Sequence, residues 1–237
     1  MASKADAALT WKKKKWFQII SPPAYDSQFV GETLAEEASK VVGKTIVVNV
    51  MHLTRNIKKQ NLNLTLKVTD VAEGKANTRA FAFEMQPGSI KRLIRGGRDR
   101  IDESFITKSK DGQYSRVKPL FITRNHQPAS VCTKIRRLST SFLRKYVAEV
   151  SFEEFVRDTV EGKVQKMLKD KLAKVTPLRN VEIRRIDLIE NFNALKLKRM
   201  EKRAAKEQAE ADVVIAASEA EAKAEEEEQL VGMEPQA

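Results

Sequence analysis

The stretch LNLTLKVTDVAEGKANTRAFAFEM, residues 62–85, decides the fold. Leu62, Leu64, Leu66 and Val68 alternate with polar residues, a period of two that lines one face of a strand. Phe81, Phe83 and Met85 repeat the pattern, and the break at Ala72-Glu73-Gly74-Lys75 predicts a hairpin between the two runs. Before it, KTIVVNVMHLT (44–54) is β-branched and apolar and predicts another strand. After it, Pro87-Gly88 stops the sheet, and SIKRLIRGGRDRI (89–101) spaces Ile90, Leu93, Ile94 and Ile101 at helical intervals. Gly96-Gly97 weakens that helix by about 1 kcal/mol per glycine relative to alanine.

Further on, FITKSKDGQYSRVKPLFIT (105–123) carries Asp111-Gly112 between two apolar runs, a strong hairpin signal. Pro119 cannot donate to a ladder, so its strand is expected at an edge or with a bulge. In residues 130–150, Val131, Ile135, Leu138, Phe142 and Tyr146 fall within about an 80° arc at 100° per residue, which predicts an amphipathic helix. Residues 151–175 predict a second helix, opening with Ser151 and Glu154 in capping-box spacing and closing at Thr176-Pro177. Its acids crowd the first half and its lysines the second, as the helix dipole favours. LRNVEIRRIDLIE (178–190) reads as a last strand. The expected order is β-β-β-α-β-β-α-α-β, an α+β fold with a mainly antiparallel sheet and packed helices. Periodicity leaves open whether the sheet curls into a barrel. The chain divides into a basic N-terminal arm (1–22), a body (23–190) and an acidic Ala/Glu/Lys-rich tail (191–237) that reads as a solvated helix or a disordered segment.

Charge is distributed unevenly. The chain of 237 residues has net charge +12, but residues 201–237 hold 4 basic and 11 acidic groups, net −7, so residues 1–200 carry 40 against 21, net +19. A body this basic concentrates polyanions, with nucleic acid or an anionic membrane as the obvious partners. Cys132 is the single cysteine, so a disulfide within the chain is impossible, and a reducing compartment fits. No window approaches the roughly 18 to 20 apolar residues that a spanning helix needs, so an intracellular, soluble protein is expected.

Reactive constellations fail one by one. Gly43-Lys44-Thr45 has the end of a phosphate-binding loop, but Ala38 stands where its first glycine belongs, and a strand pattern follows. His52 and His126 lack metal-ligand spacing, and the serines of RLSTSF (137–142) sit in a helical pattern without flanking glycines. No enzyme, metal or cofactor is expected.

What recurs is lysine and arginine in short groups. KRLIRGGRDR brings Lys91, Arg92, Arg95, Arg98 and Arg100, with glycines that let backbone amides approach phosphates. On the 130–150 helix, Lys134, Arg137, Arg144 and Lys145 lie on one flank of the apolar stripe with no acid among them, the one-sided cluster that a phosphate-facing helix needs. Arg184 and Arg185 make a smaller patch. Each group also reads as a merely solvated surface. Both tryptophans bracket a lysine run in TWKKKKWF: Lys12, Lys13, Lys14 and Lys15 suit a phosphate backbone, and Trp11 suits base stacking. Trp16 either stacks on a base or docks with Phe17 on the core. Arginine pairs bidentately with phosphate and stacks on bases, and the cations lie on several elements rather than one amphipathic helix, which favours folded RNA over a membrane.

These residues resemble a known family. KKKKWFQIISP (12–22), GETL (31–34), YSRVKPLFIT (114–123) after the Asp-Gly turn, and IRRLSTSFLRKYVAEVSFEEFV (135–156) are similar, in order and spacing, to the small-ribosomal-subunit proteins of archaea and eukaryotes called eS1 or S3a. The likeness spans about residues 10–190, and the short N-terminal extension looks archaeal. It implies a structural, rRNA-binding protein of the cytoplasmic ribosome, on the small-subunit platform near the mRNA exit region. Small-subunit rRNA, neighbouring ribosomal proteins and mRNA near the exit are the implied partners, with no membrane. A non-ribosomal RNA-binding assembly or translation factor would share the electrostatics and stays as the alternative. The acidic tail departs from the pattern.

Overall fold

A computed structural model describes residues 14–190; Trp11, Lys12, Lys13 and the acidic tail fall outside the described residues. The elements begin with β1 (Lys15–Ile20), β2 (Phe29–Ala35), β3 (Thr45–Asn49), α1 (Val50–Thr54), β4 (Leu62–Ala72), β5 (Lys75–Met85) and α2 (Pro87–Leu93). Then follow β6 (Arg100–Asp102), β7 (Phe105–Lys108), β8 (Tyr114–Thr123), α3 (Ala129–Glu149), α4 (Phe152–Glu161), α5 (Lys163–Ala173) and β9 (Leu178–Ile189).

The 62–85 hairpin forms as its pattern requires. Ala72 pairs with Lys75, leaving a two-residue turn in which Glu73 (φ 52°) and Gly74 (φ 78°) both take positive φ, the combination that matches strand twist. The pairing is interrupted by two bulges, one at Thr69, since Val68 faces Thr78 and Asp70 faces Asn77, and one that affects the aromatic face. Thr65 faces Ala82 but Leu66 faces Ala80, so Phe81 is the extra residue of a bulge and stays half-buried, while Phe83 and Met85 are buried.

The sheet is antiparallel except where β1 runs parallel to β5. Along one edge β5 changes partner: Lys75–Asn77 pair with Gln18–Ile20 of β1, and Ala82–Glu84 with Arg185–Asp187 of β9. The order is β2-β1-β5-β9-β8-β6, with β4 and then β3 on the other side of β5, and β7 beside β6 along β8. It does not close: β2 pairs only with β1 and β3 only with β4, so the barrel that periodicity left open is not formed. Pro119 sits at a bulge of β8, where Lys118 pairs with Arg185 but Pro119 with Ile183, which is one of the two places expected for it.

Helices α3, α4 and α5 cover one face, α3 against β7, α4 against β5 and α5 against β9. The main core joins Leu64, Phe83, Phe121 and Ile186 of the sheet to Ile135, Leu143, Phe155 and Leu168 of the helices, all fully buried. A second cluster, Phe17, Ile19, Ala35, Val41, Val68 and Ala76, lies under β1 and β2.

Three boundaries differ from the sequence pattern. The strand expected over 44–54 ends at Asn49, whose side chain accepts from Met51 N–H at 2.9 Å and starts α1. The helix expected over 89–101 stops at Leu93, because Ile94 is extended, Gly97 takes φ 73° and Arg100 already pairs with Ile122. The helix expected over 151–175 is two helices. Ser151 and Glu154 form the capping box, but Gly162 at φ 85° turns its N–H onto the Asp158 and Thr159 carbonyls and ends α4.

Candidate nucleic-acid interface

On β1 the alternation puts the two aromatic residues on opposite faces, and Trp16 does not dock on the core with Phe17. Phe17 points inward at 8% exposure and Trp16 outward at 65%, beside the exposed Lys15 and half-buried Lys14. An indole that open on a strand offers a flat apolar surface with a cation next to it in sequence, the combination on which an unpaired base stacks.

The cations of α3 separate into two kinds. Lys134, Arg137 and Lys145 are exposed, and Lys134 and Lys145 stand about 16 Å apart along the axis at 1.5 Å per residue. Arg144 is buried at 9% exposure, its guanidinium 5.6 Å from the centre of the Phe105 ring on β7, where it covers the core instead of facing solvent. Ser139, Ser141, Leu143 and Val147 are buried too, so the second half of the helix is covered over a wider arc than its large apolar residues mark. Arg136, on the other flank, pairs with Glu103 at 3.7 Å.

Lys91, Arg92 and Arg95 are exposed, on α2 and just beyond it, and Arg92 donates to the Asn61 Oδ1 at 3.3 Å. Arg98 is half-buried in the loop around Gly97, and Arg100 on β6 pairs with Asp102. That loop is tied to the one after β8: Asp99 accepts from the Gln127 N–H and contacts His126 Nδ1, both at 2.6 Å. The Gln127 bond first, then His126, holds the Asp99 carboxyl below its usual range. On β9, Arg185 is clamped by Asp187 at 2.7 and 2.8 Å and lies 3.6 Å from Glu84, so its charge is largely answered within the protein. Arg184 is half-buried at the bulge opposite Lys118 and Pro119. The structure thus keeps the predicted cations on separate elements, with Arg144, Arg100 and Arg185 engaged internally.

Other cations went unread. Ser115 and Val117 of β8 are buried, so Arg116 and Lys118 share the opposite face, Lys118 directly across from Arg185. The alternation in YSRVKPLF carried that signal. Lys166, Lys169 and Lys174 are exposed on and after α5. Among the described residues there is no group of three potential metal ligands, and no helix long and apolar enough to cross a membrane. Lys44, the lysine of the phosphate-loop fragment, bonds to Thr33 and the Leu34 carbonyl at 3.3 Å and is followed by β3 rather than a helix.

Residues 2–191 match a family model described as the ribosomal S3Ae family. Small ribosomal subunit protein eS1 of Halorubrum lacusprofundi is 32% identical over 177 residues, 75% of this chain and 82% of that protein. The protein of the same name from Archaeoglobus fulgidus is 32% identical over 194 residues, covering 80% and 92%, and that of Sulfurisphaera tokodaii 30% over 189 residues, covering 80% and 98%.

Proposed function

Since this chain belongs to the ribosomal S3Ae family, we propose that it is a structural component of the small ribosomal subunit that holds rRNA segments together through dispersed cations. It performs no catalysis; its role is to bind. The observation that carries the reading is the set of exposed Lys15, Lys91, Arg92, Arg95, Arg116, Lys134, Arg137 and Lys145 on separate elements of a fold whose core is complete without them. Several cations reaching one folded polyanion release counterions together, and that gives affinity without a single deep site. Phosphate contacts fix register and orientation, which suits a protein that shapes RNA. Rigidity serves the same end, since α3 is pinned by Arg136–Glu103, and the turn before β8 is pinned to α4 by the Phe152 N–H donating to Asp111 at 3.1 Å. We place the protein on the platform near the mRNA exit region, with neighbouring ribosomal proteins and mRNA within reach, on the family likeness. In sequence, Trp11, Lys12 and Lys13 directly precede Lys14 and Lys15 and the lysines add to the basic charge, whereas residues 201–237 carry a net charge of −7.

Binding of a folded small-subunit rRNA fragment across a salt series tests this. A plot of log K against log salt is expected to fall with a slope of about −4 or steeper, as for roughly five phosphates neutralised together. A slope near zero contradicts it.

A further inference from the structure

Helices α3, α4 and α5 cover only one face of the sheet. Phe105 of β7, Val117 of β8, Ile186 of β9 and Phe83 of β5 stand in register and are buried in the core shared with those helices. The adjoining rows, Ile106–Arg116–Asp187 and Lys118–Arg185–Glu84, turn the other way, as strand alternation requires. An antiparallel sheet can keep such a second face in water.

Helix α2 lies on that outer face too. Phe121 of β8 belongs to the main core, but Leu120 beside it packs with Ile90 of α2 and with Met85 in a separate cluster. Leu120 is two residues from Lys118, about 7 Å along the strand. Lys91, Arg92 and Arg95, exposed on α2 and just beyond it, therefore stand on the face that exposed Arg116 and half-buried Lys118 share. The acids beside them are taken up by other arginines. Asp187, across from Arg116, is held at both oxygens by Arg185, which also lies 3.6 Å from Glu84, and Asp102, across from Leu120, pairs with Arg100. Glu182, also across from Leu120, is half-buried. Arg116 and Lys118 make no ion pair among the described residues.

Lys134, Arg137 and Lys145 are exposed on α3, on the opposite side of the sheet. A helix with its side chains is about 10–12 Å across. The two groups of cations are thus separated by that thickness and the sheet, more than the Debye length of about 8 Å at physiological salt, and their fields act independently.

We propose that the uncovered sheet face, through Lys91, Arg92, Arg95, Arg116 and Lys118, is a second RNA-binding surface, so that the protein holds two RNA segments at once, one against this face and one against α3. The contacts are to phosphates, so each surface takes the backbone of a helical segment whatever its sequence. The inference rests on the RNA-binding reading and adds that the surfaces are two and lie back to back.

Sedimentation equilibrium of the full chain with a short RNA duplex in excess at low salt counts the segments held. Wild type is expected to take up two duplexes per protein. The variant with Arg95→Gln, Arg116→Gln and Lys118→Gln is expected to take up one, and so is the α3 variant with Lys134→Gln, Arg137→Gln and Lys145→Gln; the duplex that each retains reports its fold. Arg116→Gln alone, at an exposed side chain, is expected to weaken one of the two binding steps about eightfold at 0.1 M salt and to leave the other unchanged. Saturation of wild type at one duplex, or two duplexes still bound by either triple variant, overturns the second surface while leaving RNA binding in place. Loss of both duplexes from a variant that melts like wild type means a single surface and overturns it as well. No duplex bound by wild type overturns the RNA-binding reading itself.

Discussion

Replacing Lys134, Arg137 and Lys145 together by glutamine is expected to lower affinity for folded small-subunit rRNA by about two to three orders of magnitude at 0.1 M salt. Each phosphate contact contributes about 0.9 to the log–log salt slope, so three contacts contribute about 2.7. If that part of the binding vanishes near 1 M salt, a tenfold dilution restores about 500-fold, which the variant lacks. The fold is expected to survive, because all three side chains are exposed and glutamine is nearly as good a helix former as lysine or arginine. Surface substitutions of this kind usually change stability by within about 0.5 kcal/mol each. Arg136→Gln is the matched control on the Glu103 side of the helix. An unchanged salt slope in the triple variant, or an equal loss from Arg136→Gln alone, would remove this face from the RNA surface.

The second large effect is on stability and concerns Glu182. It stands on β9 opposite Leu120, which is fully buried, and burial alone pushes its carboxyl up to about 7. In the unfolded chain a glutamate titrates near about 4.3. Below that pH both states hold the proton, and the group costs nothing. Between about 4.3 and 7 the unfolded chain releases its proton while the folded chain keeps it, so stability falls as pH rises through this window and levels off above it. The full cost is on the order of 3 kcal/mol, from a shift of between two and three pH units. Glu182→Gln removes the titration. Urea unfolding of the two proteins is expected to show a gap that is smallest near pH 4 and grows in the variant's favour to on the order of 3 kcal/mol by pH 8. A gap that is independent of pH, or that favours the wild type at pH 8, would contradict the account.

The fold was most legible where one physical rule acted alone. Glu73-Gly74 and Asp111-Gly112 announced their hairpins because few other residues tolerate the backbone those turns require, and Ser151 with Glu154 announced a helix start. Legibility failed where rules competed. The β-branched run through Val50 hid the cap supplied by Asn49, helical spacing across Gly162 hid the helix end that its positive φ makes, and helical spacing over 89–101 hid the end at the extended Ile94. The parallel pairing of β1 with β5 joins residues nearly 60 positions apart, which no local period records. At the interface, helical geometry found the exposed Lys134, Arg137 and Lys145 but could not show that Phe105 from another element lies against Arg144.

Sedimentation of small ribosomal subunits from cells that make this protein, after a high-salt wash, tests the central claim most directly. A structural component held at many simultaneous contacts is expected to remain with the washed subunit in a ratio near one to one. Release into the wash, with subunits retaining their full sedimentation rate, would contradict the structural role and leave a dissociable RNA-binding factor in its place.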